Sequence, residues 1–162
     1  MALEVRLLQP GDDADAVGEI VRRAYFALPG YPRDPEYDIE IGAVAERPAG
    51  DHVVVAVLDG TPVGCLTYVG PHSEFFEFHD PEGASFRFFG VDPSVQGKGV
   101  GEAMVRWCID RARLDGHRRL RIHTLDSMPA ALRLYERLGF ERDPDHDEEW
   151  DGIFGYSYVL HL

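Results

Sequence analysis

Six consecutive residues, Gln96 to Gly101, are the part of the sequence that most directly indicates chemistry. They read Gln-Gly-Lys-Gly-Val-Gly, which places glycine at the alternate positions 97, 99 and 101. Without Cβ atoms, successive backbone N–H groups can point into one concavity, and an anion is held best where a helix begins. The run lacks the glycine fingerprint of dinucleotide-binding folds and the Gly-Lys-Ser/Thr ending of a P-loop. It predicts a pyrophosphate cradle, and the alternative is a tight turn that binds nothing.

A second candidate lies further along the chain and contains a tyrosine. Residues 131–140 read Ala-Leu-Arg-Leu-Tyr-Glu-Arg-Leu-Gly-Phe, and Tyr135 shares an apolar helical stripe with Ala131 and Leu134. A phenol has an ordinary pKa near 10, so it is protonated at neutral pH and can donate its proton. Periodicity alone favours a tyrosine that packs in the core.

Taken together, these residues resemble the signature of the GNAT superfamily of N-acetyltransferases. The resemblance rests on Val91-Asp92-Pro93, on the run from Gln96 to Gly101, and on Ala131 to Phe140, in that order along the chain. It covers nearly the whole chain, because the order of the predicted elements also matches that fold. It implies an acyltransferase that uses acetyl-CoA as co-substrate.

The resemblance also implies roles for individual residues. Backbone N–H groups in the glycine-rich turn and the start of the next helix would hold the pyrophosphate of acetyl-CoA. The pantetheine arm would pair with the fourth strand much as an added strand does. The implied cofactor-binding residues are Phe89, Gly90, Val91, Gln96, Gly97, Lys98, Gly99, Val100, Gly101 and Glu102. The N–H of Val91 would stabilise the oxyanion, and Tyr135 would act as general acid.

The general base is where the sequence departs from the family pattern. Many relatives carry a glutamate early in the fourth strand, at the position of Ser85, and a serine cannot act as a base unaided. Glu82 is our first candidate, and Glu77 and His79 in the preceding loop are alternatives that would act directly or through water. A second departure is Met128, which stands where many relatives have an asparagine that contacts the cofactor.

Aromatic and acidic side chains alternate in the loop from Ser73 to His79, close to the predicted transfer site. With Tyr31, Tyr37 and Asp38 they predict a pocket for a cationic amine, through charge and cation–π attraction. The alternative is an apolar flap on the core with solvated glutamates. Six carboxylates within positions 143–151 are typical of a solvated surface. Trp150 among them is either a core anchor or part of an acceptor or partner site.

The elements that must position these residues follow from periodicity and turn residues. A strand and an amphipathic helix open the chain, and a proline-rich stretch after residue 28 predicts a loop with a short helix. Further strands are expected at 52–58, 63–69, 86–91, 120–125 and 153–162. Further helices are expected at 100–114 and 129–138, with an acidic loop before the last strand.

This order predicts an α/β fold with helices on both faces of a mixed, mostly antiparallel sheet. A β-α-β unit joins its two strands by a crossover over one face of the sheet. We therefore expect these two central strands to be parallel and the crossover to be right-handed. The resemblance adds that these two strands splay apart to admit the pantetheine arm.

Composition excludes several classes of protein. The chain has 162 residues, 44% of them apolar, so we expect a single domain over residues 1–162, and the resemblance implies that it is an N-acetyltransferase domain. A net charge of −13 argues against nucleic-acid or anionic-membrane partners. Residues 98–142 include ten basic and six acidic side chains, net +4, whereas the remainder has six basic and 23 acidic ones, net −17. That division suits a polyanionic cofactor and a cationic acceptor.

Location and redox state follow from simpler features. No apolar run approaches the roughly 20 residues of a membrane-spanning helix, and the N-terminus lacks a signal pattern, so we expect a cytoplasmic protein. Cys65 and Cys108 lie in apolar contexts and are expected to be buried reduced thiols. The seven histidines show no metal-ligand spacing, so we expect no metal.

The sequence therefore predicts an N-acetyltransferase that moves the acetyl group of acetyl-CoA to a primary amine by direct attack, with Tyr135 as general acid. The expected acceptor is small and either cationic or amino-acid-like. Two other functions stay open: acetylation of a protein or peptide amine, and a regulatory module that binds acyl-CoA without catalysis, which Ser85 would suit. Relatives are often dimers and the C-terminal strand could support one, so a homodimer is an expectation from analogy.

Overall fold

The computed structural model describes residues 2–162 and forms one sheet covered by helices. The strands are β1 (Leu3–Leu7), β2 (His52–Leu58), β3 (Thr61–Val69), β4 (Gly83–Val91), β5 (Arg119–Leu125), β6 (Glu141–Arg142), β7 (Glu148–Trp150) and β8 (Ile153–His161). The helices are α1 (Ala14–Phe26), α2 (Pro35–Glu40), α3 (Val100–Leu114) and α4 (Pro129–Arg137). Short 3-10 turns lie at Val44–Glu46, Pro93–Val95 and Pro144–His146.

The sheet has the predicted mixed topology. Its strand order is β1-β2-β3-β4-β5-β8-β6, and β7 also pairs with β8. Within residues 2–162, β4 and β5 form the parallel pair, and the remaining pairs are antiparallel. The parallel pair requires a crossover, which α3 supplies.

Local chemistry explains where the elements begin and turn. Asp13 ends the loop before α1, and its carboxylate accepts the N–H of Ala16 at 3.1 Å. Asp59 and Gly60 join β2 to β3 with φ of 50° and 84°, and these positive angles are typical of a type I′ hairpin turn. The hairpin predicted from Asp59-Gly60 is therefore confirmed.

Helices cover both faces of the sheet, as predicted. On one face, Val17 and Val21 of α1 share a buried cluster with Phe88 of β4. On the other face, Met104 of α3 and Leu134 of α4 belong to a second cluster with residues of the central strands. Full burial of a side chain such as Met104 contributes about 2 kcal/mol to folding, so the sheet is held from both sides.

The parallel strands β4 and β5 pair only at one end. Their register runs from Gly83 opposite Arg119 to Ser85 opposite Arg121, and no pairing follows beyond that point. At the paired end, the Asp80 carboxylate accepts hydrogen bonds from Arg119 Nε at 2.7 Å and Arg121 Nε at 2.7 Å. The strands are thus clipped at their beginnings and open towards their carboxyl ends.

A β-bulge shapes the open part of β4. The register against β3 shifts between Cys65 and Thr67, and Phe88 has φ of 54°. Because of this extra residue, Phe88 packs on the α1 face while Phe86 and Phe89 pack on the α3 face. A bulge bends its strand, and here the bend accompanies the separation of β4 from β5.

Three features differ from the sequence prediction. The fourth strand begins at Gly83 rather than Phe86, because its first residues pair with β5. The acidic stretch expected as a loop contains β6 and β7, which both pair with β8. The C-terminal strand therefore lies inside the sheet, so an additional strand from a second copy would have to displace these pairings.

Both cysteines lie in the interior of the protein. Cys65 and Cys108 are both buried and are not joined in a disulfide. Burial raises the pKa of the Cys65 thiol to about 12. No helix among residues 2–162 combines the length and hydrophobicity required to cross a membrane.

Candidate active site

A cavity of about 980 Å³ lies where β4 and β5 separate. Its walls include residues 86–91 of β4 and Ile122, His123 and Leu125 of β5. The end of α1, the turn before α3, one side of α4 and the β7–β8 hairpin complete the lining. The predicted separation of the two central strands therefore opens this cavity.

The glycine-rich turn has the conformation that its sequence predicts. Gly97 and Gly99 have φ of 81° and 83°, which side chains with a Cβ rarely adopt, and an added Cβ at either would meet open space. The N-terminus of α3 has no side-chain cap. The first N–H groups of this helix are therefore left for a ligand or for water, as an anion cradle requires.

The free edge of β4 supplies further backbone donors. The N–H of Asp92 donates to the carbonyl oxygen of Val63 on β3 at 2.7 Å. Because successive N–H groups of a strand point to opposite edges, the N–H of Val91 points away from β3 and into the opening. The N–H of Phe89 points the same way, since it lies two residues earlier and beyond the bulge.

Nearly all predicted cofactor-binding residues line this cavity. They are Phe89, Gly90, Val91, Gln96, Gly97, Gly99, Val100, Gly101 and Glu102. Lys98 is the exception, since its side chain is exposed and does not line the cavity.

Tyr135 on α4 lines the cavity and packs in the core as well. Its ring contacts Phe86 and Phe140, with centroids 6.1 and 5.5 Å away. The residue is only 4% exposed. Burial raises the pKa of its phenol above the ordinary value, and the nearby Cys108 adds to the rise. The hydroxyl is therefore protonated at neutral pH.

Glu82, the first candidate for the base, does not line the cavity. It precedes β4 at the clipped end of the β4–β5 pair, and its carboxylate pairs with Arg118 at 3.1 Å and Arg119 at 3.6 Å. Glu82 lies away from the cavity because β4 runs from the clipped end towards the opening, so the start of the strand and the cavity lie at different ends. His79 is also absent from the cavity lining.

Glu77, an alternative candidate, does line the cavity. Its Oε1 lies 3.4 Å from the Nε of Arg87 on β4 and 3.4 Å from the Nδ1 of His123 on β5. The carboxylate therefore bridges the two separated strands. Arg87 in turn lies over Phe88, which belongs to the α1-side cluster, whereas Tyr135 belongs to the α3-side cluster. The candidate base and acid thus reach the opening from opposite faces.

Arg87 is held by aromatic rings as well as by Glu77. Its guanidinium carbon lies 4.6 Å from the centroid of Phe88 and 5.6 Å from that of Phe75. The hydroxyl of Tyr37 lies close enough for the guanidinium to lower its pKa, although burial is the larger effect and raises it. Arg87 is the basic side chain at the α1 side of the cavity.

The structure brings only some of the residues expected at the acceptor pocket to the cavity. Tyr31 and Tyr37 line the cavity with Trp150, but Asp38 does not. The carboxylate of Asp38 instead accepts hydrogen bonds from the hydroxyl of Tyr31 at 2.9 Å and from Arg33 at 2.7 Å. Four carboxylates on this side do face the cavity: Asp34, Glu40, Glu77 and Asp151.

The cavity lining includes residues that the sequence analysis did not single out, among them Arg87, His123, Ser127 and Arg133. His123 alternates with Ile122 near the carboxyl end of a central strand, which is a position where functional residues of open sheets concentrate. Ser127 precedes Met128, and its Oγ is buried without a hydrogen-bond partner within residues 2–162. A hydrogen bond to acetyl-CoA would satisfy this unpaired hydroxyl. The residues that line the cavity therefore fit acetyl-CoA.

Metal ligands are a separate question. Across the described residues, no three His, Cys, Asp or Glu side chains converge in a way that could hold a metal ion.

Comparisons with known proteins agree with this geometry. The family model described as "Acetyltransferase (GNAT) family" matches residues 14–140. A mycothiol acetyltransferase from Actinosynnema mirum is 28% identical over 138 residues, which are 85% of this chain and 44% of that protein. An N-acetylaspartate synthetase from Danio rerio is 34% identical over 103 residues, 64% of this chain and 34% of its own. The chain thus spans less than half the length of these curated relatives.

Solved structures share the fold over nearly the entire chain. A GCN5-related N-acetyltransferase from Kribbella flavida superposes with a TM-score of 0.75 and 26% identity, covering 99% of this chain and 98% of its own. A protein from Salmonella typhimurium, solved with its cofactor acetyl-CoA, has a TM-score of 0.69 and 22% identity, with 100% and 95% covered. With the family model matched over most of its length, the chain belongs to the GNAT family of acetyltransferases.

Proposed function

We propose that this protein transfers the acetyl group of acetyl-CoA to a primary amine bound between the separated strands. The observation that carries the proposal is the opening between β4 and β5, with an anion cradle at one side, Tyr135 on one face and Glu77 on the other. Family membership supports the reaction type. Acetyl-CoA supplies an activated acetyl group as a thioester, and the residues below supply the rest.

The cofactor site would use mainly backbone groups. The N–H groups from Gly97 to Glu102 would hold the pyrophosphate, with the helix dipole of α3 adding partial positive charge. Phe89 and Val91 would pair with the pantetheine amides along the free edge of β4. The hydroxyl of Ser127 would make the polar contact that Met128 cannot, and Arg133 would meet a phosphate by charge.

Three groups of the chain would carry the chemistry. The Glu77 carboxylate accepts a proton from the acceptor's ammonium group, which leaves a neutral nitrogen to attack the acetyl carbon. The N–H of Val91 donates to the carbonyl oxygen as negative charge develops there. Tyr135 then donates its proton to the departing sulfur, and the second proton that the nitrogen loses on becoming an amide restores the phenol. Glu77 would therefore take the role of the glutamate that many relatives carry at the position of Ser85. It is preferred to Glu82, which lies outside the cavity.

The acceptor side favours a small amine that carries charge. The carboxylates of Asp34, Glu40, Glu77 and Asp151 favour a cation, and the aromatic residues around them add cation–π attraction. Arg87 is a positive charge within this acidic surface, so it would suit an acceptor with a carboxylate near its amine. We therefore propose a cationic or amino-acid-like acceptor. The name of the N-acetylaspartate synthetase relative is in line with the second class.

The alternatives differ in what they would predict. A protein or peptide acceptor would also suit the acidic surface, and it would have to reach Glu77 by its terminus or a lysine side chain. Ser85 suggests a module that binds acyl-CoA without catalysis, whereas the carboxylate of Glu77 in the cavity supports an enzyme. A cytoplasmic location and a homodimer stay predictions.

Release of free CoA thiol with acetyl-CoA and a panel of amines tests the proposal. The panel would contain polyamines, amino acids, amino-acid amides and short peptides with free N-termini. We expect turnover that requires both substrates and is faster for the small amines. Calorimetric titration with acetyl-CoA comes first, because absence of binding would refute the cofactor site. Binding without turnover on any amine would instead support the non-catalytic module.

The base assignment is tested by a matched pair of variants. Glu77→Gln should lower kcat about 100-fold, since a general base contributes on that order. Glu82→Gln should leave kcat close to wild type, because this side chain faces Arg118 and Arg119 outside the cavity. The opposite ranking would restore Glu82 as the base.

A further inference from the structure

His123 is a buried histidine on β5 that lines the cavity and has no role in the mechanism above. Its side chain is 4% exposed. The ring stacks on Phe78, with centroids 4.4 Å apart and planes inclined by 16°, and the indole of Trp150 packs edge-on at 5.3 Å. This packing fixes the plane of the ring, so each ring nitrogen is directed at one neighbour.

The two ring nitrogens face groups of the same hydrogen-bonding kind. Nε2 lies 2.9 Å from the backbone carbonyl oxygen of His146, and Nδ1 lies 3.4 Å from Oε1 of Glu77. A carbonyl oxygen can only accept, so the proton of the neutral ring belongs on Nε2. Nδ1 then presents a lone pair to the carboxylate, and two acceptors face each other.

A proton is what this contact lacks. One proton between Oε1 and Nδ1 converts two opposed acceptors into a charge-assisted hydrogen bond. The Arg87 guanidinium does not take the place of this proton. Its Nε lies 3.4 Å from the same Glu77 Oε1 and not between Oε1 and Nδ1. Asp147 is a further negative charge near His123, and its carboxylate accepts a hydrogen bond from Arg142 at 2.7 Å.

We propose that Glu77 and His123 work as a pair, in which His123 is a positioning residue that holds the acceptor's proton behind Glu77. The reaction part rests on the proposed function, whereas the pairing of the two side chains does not. One N–H bond of the acceptor's ammonium group breaks, and its electron pair stays on nitrogen as the nucleophile. Glu77 passes the proton to Nδ1, where a new N–H bond forms.

The product of this step is an imidazolium beside a carboxylate. Nε2–H still donates to the His146 carbonyl, so the ring needs no rotation. After the acetylated product leaves, the proton passes from Nδ1 back to Glu77 and from there to water. The pair therefore keeps the proton away from the newly neutral amine during attack.

Nuclear magnetic resonance of ¹⁵N-labelled histidine rings tests the pairing without any acceptor. The His123 signals are those lost in His123→Gln. In the neutral form of the ring, which its ¹⁵N shifts identify, we expect the proton on Nε2 and an Nδ1 shift that changes in Glu77→Gln. A neutral ring with its proton on Nδ1, or an Nδ1 shift that ignores the Glu77 substitution, would overturn the proposal even if acetyl transfer is observed.

Steady-state kinetics test the shared role. His123→Gln retains a hydrogen-bonding side chain but cannot take up a proton, so we expect kcat to fall about tenfold with KM for acetyl-CoA unchanged. The double variant with Glu77→Gln should be no slower than Glu77→Gln alone, because the two groups act as a unit. Losses that multiply would show independent roles and contradict the pair.

Two further variants separate this role from folding. His123→Phe preserves the stack on Phe78 and should show the same loss in kcat as His123→Gln with normal stability. His52→Gln changes another partly buried histidine, stacked on Tyr68 with centroids 6.1 Å apart and outside the cavity. We expect it to leave kcat unchanged, and a loss equal to that of His123→Gln would indicate a general packing effect instead.

Discussion

Tyr135 has two roles that sequence periodicity presents as alternatives. Its ring is part of the core between Phe86 and Phe140, and its edge belongs to the cavity wall. Core packing is what raises the pKa of the phenol, because burial disfavours the phenolate. The same packing therefore keeps the proposed acid protonated.

Tyr135→Phe should retain the fold and lower kcat about 100-fold, because the ring is preserved and only the proton donor is lost. The raised pKa gives the expected pH behaviour: the protonated form persists above pH 10, so wild-type kcat should not fall through ionisation of this phenol between about pH 8 and 10. Tyr158→Phe is the control, since Tyr158 is equally buried but lies outside the cavity. Equal kcat in Tyr135→Phe and wild type at every pH would exclude Tyr135 as the acid.

The catalytic residues show how far a sequence can be read at this scale. Tyr135 was singled out from a local motif, and the structure places it in the cavity wall, where its role as acid stays a proposal. The sequence favoured Glu82 over Glu77 because Glu82 is nearer to the fourth strand along the chain. In space, Glu77 meets Arg87 and His123, whereas Glu82 meets Arg118 and Arg119 at the paired end of β4 and β5. His123 and Arg87 have no motif, and only the pairing of Glu77 with both identifies them.

The turn between β4 and α3 is the element for which the sequence was most informative. The spacing of its glycines predicted a turn with exposed N–H groups. Two of these glycines, Gly97 and Gly99, adopt positive φ with open space around them. The β-bulge at Phe88 carries no such signal, since a bulge depends on the register between two strands. The β6 and β7 strands were also missed, because their charged residues pair with β8 only once the hairpin closes.

Gly99→Ala tests the turn as an anion cradle. Positive φ at a residue with a Cβ costs about 1 kcal/mol, and relaxation of the strain would move the N–H groups that define the cradle. We expect the dissociation constant for acetyl-CoA, measured by calorimetry, to rise at least about tenfold, which corresponds to about 1.4 kcal/mol.

Gly116→Ala is the matched control for that experiment. Gly116 ends the turn after α3 with φ of 81° and open space, but it lies outside the cavity. It should lose similar stability and bind acetyl-CoA normally. Equal losses of affinity in both variants would mean that backbone strain in general, rather than the cradle, governs binding.

For the whole molecule, the clip at Asp80 determines that β4 and β5 meet at one end and part at the other. Asp80 is buried and accepts hydrogen bonds from Arg119 and Arg121, and Arg121 also pairs with Asp143 at 2.6 Å. These hydrogen bonds, from Arg119 first, hold the pKa of Asp80 well below its ordinary value. The clip therefore binds the ionised carboxylate.

Asp80→Asn should lower the free energy of unfolding by about 3 kcal/mol near neutral pH, because two arginines lose their charged partner. A depressed pKa in the folded state means that this stabilisation is present above the unfolded value of about 4 and is lost as the pH falls below it. Urea titrations should therefore show the difference between wild type and Asp80→Asn shrinking below about pH 4. Glu82→Gln, an exposed neighbour, should cost less than about 1 kcal/mol, and a constant difference for Asp80→Asn across pH would contradict the clip.

The distribution of charge over the molecule is more informative than the net value of −13. The basic segment 98–142 does flank the cavity, but most of its arginines are already paired with carboxylates, as Arg119, Arg121 and Arg137 show. Arg133 lines the cavity and is therefore the better candidate for a phosphate. The acidic remainder contributes four carboxylates to the acceptor side, so the division seen in the sequence persists in space.

The structure of the protein in complex with CoA is the measurement that tests the central claim most directly. We expect the pyrophosphate on the N–H groups of residues 97–102, the pantetheine along the free edge of β4, and the sulfur within hydrogen-bonding distance of the Tyr135 hydroxyl. Glu77 should then lie across the opening from the sulfur, with room for an amine between them. A CoA molecule bound outside the opening, or with its sulfur remote from both Tyr135 and Glu77, would contradict the proposed active site.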